Sequence, residues 1–119
     1  MDEGFAMTRE RFEELVARAL DEIPAELADL VRNCVVLVED QPPPDAPGLL
    51  GLYEGTPLTE RDAAYTMALP DRITVFRNPT LAICRSEDEV VEQVRVSVVH
   101  EIAHHFGIDD ERLDELGYA

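Results

Sequence analysis

Residues His100-Glu101-Ile102-Ala103-His104, with Gly107 and Asp110 after them in HFGIDD, carry the types and spacing for metal chemistry. All three histidines of the chain fall in residues 100–105. On a helix, two histidines four apart stack one turn from each other, about 40° apart around the axis. Both imidazoles can then converge on one ion. Glu101 projects about 100° from His100, where it can reach a metal-bound water without ligating the metal. A hydrolytic zinc site takes three protein ligands and leaves a fourth position for water. Gly107 lets the backbone turn at positive φ and bring the following residues back, which makes Asp110 the natural third ligand. Asp109 competes for that role, although it also reads as the cap of a short helix after it. His105 lies about 140° around from His100, on the side of Val94 and Val98, and is excluded from the ion. It reads as a partly buried histidine with its ring hydrogen-bonded. Zinc lowers the pKa of its bound water to about 7, and it polarises a substrate carbonyl. Glu101 would accept the water proton as the water attacks, then protonate the leaving amine.

This chemistry requires the segment to be a helix, and its valines argue otherwise. Val94-Arg95-Val96-Ser97-Val98 alternates strictly, a β-branched pattern that favours strand. Against that, Ser86 and Glu89 form an S-x-x-E capping box. Val91, Val94, Val98 and Ile102 make a stripe at helical spacing, and Gly107 stands where a helix would stop. The span 86–106 is too long for a strand in so small a chain. It therefore reads as a helix about 30 Å long, apolar nearly all round its second half, and central to the core.

The other elements follow from periodicity and breakers. Phe12, Leu15, Val16, Ala19, Leu20 and Ile23 form the stripe of an amphipathic helix, with Thr8 as N-cap and Pro24 as its stop. Residues 25–32 read as a shorter helix and 35–38 as a buried strand. QPPPDAPG, residues 41–48, is a loop. Residues 49–54, LLGLYE, are a strand candidate broken by Gly51 and closed by Gly55. Residues 56–71 show no period beyond a helical turn at 60–65. Ile73, Val75 and Phe76 mark a strand that Asn78-Pro79 stops, and helical turns at 80–84 and 110–116 complete the chain.

The chain has 119 residues, 45% of them hydrophobic and 30% charged, which reads as one globular domain spanning 1–119. The net charge is −16, and all ten basic residues are arginine. So negative a surface repels phosphate backbones, which argues against nucleic acid as partner. No apolar run is long enough for a transmembrane helix, and the acidic start lacks the form of a secretory signal. The expected location is cytoplasmic. Cys34 and Cys84 then read as buried thiols outside the site.

HEIAHHFGIDD resembles the H-E-x-x-H-x-x-G-x-x-D form of the zincin metallopeptidase signature. With GLYEGTPLTER and ITVFRNP upstream, residues 48–118 resemble a family of very small bacterial zincin-like proteins, the minimal zincins. The resemblance implies an α+β zincin-like fold: a small twisted sheet of about three strands packed on a long active-site helix, with the N-terminal helix behind. It implies a zinc-dependent peptidase with His100, His104 and Asp110 as metal ligands and Glu101 as general base. In larger zincins the substrate pairs antiparallel with an edge strand above the metal. Strand 49–54 is expected to be that edge, taking a peptide or protein substrate. The methionine turn found beneath the metal in metzincins has no counterpart among the nine residues after Asp110. That departure motivates the alternative, a zinc-binding interaction module that keeps the site without proteolysis.

Overall fold

A computed structural model describes residues 6–55 and 71–118. The helical turn expected at 60–65 lies outside the described residues. Among the described residues the chain forms five helices and three strands. In order these are α1 (Arg9–Asp21), α2 (Ala25–Arg32), β1 (Cys34–Glu39), β2 (Gly51–Glu54), β3 (Asp71–Phe76), α3 (Arg77–Ala82), α4 (Glu87–Phe106) and α5 (Asp110–Glu115). The strands form one mixed sheet, β1-β3-β2, with β3 parallel to β1 and antiparallel to β2. This is the α+β arrangement expected: a three-stranded sheet on a long helix, with the N-terminal helix packed on that helix.

Helix α4 dominates the core because its buried apolar residues cover well over half of its circumference. Val90, Val91, Val94, Val98, Val99, Ile102 and Ala103 are all buried, alongside Ile73 and Val75 from β3 and Phe12, Leu15 and Ala19 from α1. Full burial of one such large side chain stabilises by about 1.5–3 kcal/mol. Burial on several sides overrides the strand preference of the valines, because a helix this enclosed is held by packing rather than propensity. Its start is fixed locally: Ser86 Oγ accepts from Glu89 N at 3.1 Å, and Glu89 Oε1 accepts from Arg85 N at 2.7 Å. The capping box therefore closes one residue earlier than its usual form, which uses the N-cap's own N–H.

Boundaries differ most from expectation in two places. Helix α3 begins at Arg77, not at residue 80, and Pro79 lies inside it. A proline in the first helical turn removes an N–H that has no intrahelical partner there, so Asn78-Pro79 starts this helix as well as ending the strand. Strand β2 begins at Gly51, so Leu49 and Leu50 precede it. Cys34 and Cys84 are free thiols, half-buried and buried respectively. Among the described residues no helix is long and apolar enough to cross a membrane.

Candidate active site

The candidate residues occupy the last two turns of α4 and the segment that returns from it. Gly107 ends the helix at φ 71°, and both its N–H and that of Ile108 donate to the Ala103 carbonyl. The chain then reverses and runs back beside the helix. Asp109 caps α5, its Oδ1 accepting from Arg112 N at 2.9 Å. This is the capping role that its position implied. Leu113 is buried, and its carbonyl receives the Tyr118 N–H at 2.8 Å across Gly117, at φ 89°. Arg112 fastens the returning segment to α2 through both carboxylate oxygens of Glu26.

That return places a main-chain carbonyl on the first histidine: His100 Nε2 lies 2.8 Å from Tyr118 O. A carbonyl only accepts, so Nε2 carries the proton and, in the neutral ring, Nδ1 is bare. His104, one turn on and on the same side of the helix, is exposed. Asp110 is exposed at the first position of α5. Among the described residues no three His, Cys, Asp or Glu side chains are grouped as a metal site. Imidazole and carboxylate donors of this kind suit zinc. The Tyr118 carbonyl occupies His100 Nε2, so in this conformation Nδ1 is the nitrogen of that ring left bare for a metal.

Glu101 faces the sheet. Its Oε1 accepts the Tyr53 main-chain N–H at 3.0 Å. The ladder explains why that donor is available. Phe76 N donates to Leu50 O, so residues 50, 52 and 54 point their polar groups at β3, while Gly51 and Tyr53 point theirs away. Among the described residues β2 is thus an edge strand, and Glu101 meets its outer side. Gly51 lies beneath this contact: a Cβ there would crowd Thr74 O at 3.3 Å and meet Glu101 Cγ at an ordinary 3.8 Å.

His105 departs from the partly buried, hydrogen-bonded ring expected for it. It is exposed, and its ring stacks on Tyr53 with centroids 3.9 Å apart and planes 21° from parallel. Phe106 meets both rings edge-on, at 6.0 Å from Tyr53 and 4.9 Å from His105. The Tyr53 phenol donates to Asp71 Oδ2 at 2.6 Å and lies 3.5 Å from Cys34 Sγ. Burial, then the bond to Asp71, pushes the Tyr53 phenol well above its ordinary value, and burial likewise raises the Cys34 thiol. Tyr53 and Tyr118, the residues that touch Glu101 and His100, are the ones that sequence reasoning missed. For Tyr53 a signal existed: Glu101 and His105 are four apart, so one neighbour on the sheet could meet both.

Comparison with known proteins agrees with this architecture. A solved structure, titled as a conserved hypothetical protein from Thermo thermophilus, is similar at a TM-score of 0.55 and 25% identity. The similarity covers 84% of this chain and 94% of that one. No curated protein matches the sequence. The family model described as zincin-like metallopeptidase matches residues 31–118, from the end of α2 through the returning segment beside α4. On that match, the chain belongs to the zincin-like metallopeptidase family.

Proposed function

We propose that the protein is a zinc-dependent peptidase, with His100, His104 and Asp110 holding the metal and Glu101 acting as general base. The observation that carries this reading is the position of Glu101. Its carboxylate lies between the histidine-bearing turns of α4 and the outer edge of β2, where an extended substrate would lie. Zinc, when bound, supplies a coordinated water of pKa about 7 and polarises the scissile carbonyl. Glu101 takes the water proton and returns it to the leaving nitrogen, a transfer worth about 10²- to 10⁴-fold in rate. Gly51 and Tyr53 offer their main-chain groups to a peptide running antiparallel to β2. A substrate carbonyl taking the Tyr53 N–H releases Glu101 from that bond, so pairing with the edge frees the base. The net charge of −16 favours neutral or basic peptides.

Glu101→Gln provides the test, because the amide oxygen keeps the bond from Tyr53 N–H while losing the base. Metal analysis should find zinc in the variant at the wild-type ratio, and cleavage of a mixed peptide library should fall by about 10²-fold or more. Equal cleavage by the variant refutes the assignment. The second reading, a zinc-binding interaction module, is motivated by residues 111–119, which contain no methionine where metzincins place a methionine turn beneath the metal. A zinc-loaded protein that cleaves no peptide over a wide pH range would support it.

A further inference from the structure

We propose that the Tyr53–His105–Phe106 ring cluster is a substrate subsite that receives a large apolar or aromatic side chain and sets the peptide preference. The inference rests on the peptidase reading and adds its specificity. Three observations converge on it. The first is register: Gly51 and Tyr53 point their main-chain groups off the sheet, so an added strand makes its hydrogen-bonded pair with Tyr53. Side chains of directly opposed residues stand on the same face, about 4.5–5.5 Å apart at Cβ. The second is which face this is. Tyr53 pairs with Ile73, which is fully buried toward α4, so the substrate residue opposite Tyr53 turns its side chain to the α4 side.

The third is what stands there. His105 covers the Tyr53 ring, and Phe106 is 46% exposed while in edge contact with both. An exposed phenylalanine held by two other rings, with Glu101 one turn before His105, is a surface on which an apolar side chain can lie flat. Gly55 keeps this surface close to the strand, since a Cβ there would meet His105 Cε1 at 3.3 Å. The chosen occupant is a peptide rather than a second copy of this chain, because two copies would each bring a net charge of −16 to the contact.

The test uses two nine-residue peptides of net positive charge, identical except for Phe or Ser at the central position. Each is titrated by fluorescence anisotropy into zinc-loaded Glu101→Gln, so that binding is read without turnover. The Phe peptide should bind about tenfold tighter or more, the discrimination a hydrophobic site commonly reaches. Adding Phe106→Ala should bring the two within about twofold, and Phe106→Tyr should restore the preference. The Tyr53 amide should also exchange more slowly in hydrogen-exchange measurements when the Phe peptide is bound. Equal affinities, no binding of either peptide, or a preference that survives Phe106→Ala overturns the subsite. Library cleavage by the wild type with no apolar preference removes the subsite and leaves the peptidase. Selective binding with no cleavage anywhere removes the peptidase and leaves the subsite.

Discussion

Substituting Gly107 by alanine tests the return of the chain beside α4. Gly107 adopts φ 71°, in the left-handed region, and a Cβ built there meets nothing within 4 Å. The cost of alanine is therefore backbone strain alone, about 1–2 kcal/mol. For 119 residues the unfolding entropy is about 250 cal/mol/K, so each kcal/mol moves the melting temperature by about 4 °C. Gly107→Ala should lower the midpoint by about 4–8 °C in differential scanning calorimetry. Gly107→Asn should lower it less, because a short polar side chain tolerates this conformation better. Gly48→Ala is the control: it too meets open space, but its φ lies outside the left-handed region, so the midpoint should hold or rise slightly. An unchanged midpoint in Gly107→Ala, or an equal fall in Gly48→Ala, would show that the reversal does not depend on this residue.

Two further outcomes are expected. Asp109→Ala removes a helix cap and should destabilise the fold by about 1 kcal/mol in urea unfolding while leaving zinc affinity nearly unchanged. Asp110→Ala should do the opposite in a chelator competition, and the reverse pattern would move the third ligand to Asp109. Burial raises the folded-state phenols of both Tyr53 and Tyr118, so their contribution to stability is intact below the ordinary tyrosine pKa of about 10 and is lost as pH rises past it. Absorbance at 295 nm should show those two phenolates appearing only together with loss of circular dichroism. Reversible ionisation of both near pH 10 in the folded protein would refute this.

Local signals make the central helix legible. Ser86, Glu89 and Gly107 are end markers whose effect depends on a few neighbouring residues, and they outweigh a valine alternation that suits strand better. The same locality explains Asp109, whose capping bond spans three residues. What escapes the sequence is set by parts of the chain far apart along it. The Tyr118 carbonyl reaches His100 only after two positive-φ glycines reverse the chain, and Tyr53 meets Glu101 across 48 residues. The angle of His105 on the helix is right for the sheet side. It does not reveal that the described sheet ends at β2 there, leaving the ring to stack on Tyr53 rather than be buried. Pro79 misleads for a further reason: proline both stops a strand and opens a helix, and its place after a β-branched run points only to the first property.

Both margins of the described sheet are capped by charged side chains, and this bears on solubility during folding and storage. An unpaired strand edge is a template for association with other chains, and a hydrophobic edge is a common route to aggregation. Here Glu101 occupies the Tyr53 donor on the β2 margin, and Arg9 donates to the Val38 carbonyl on the β1 margin, where Val35 and Leu37 are 40% and 39% exposed. The proposed catalytic carboxylate thus also guards an edge. Replacing Glu101 with an apolar residue would leave that margin uncapped, and such variants should cluster on prolonged storage while Glu101→Gln remains dispersed.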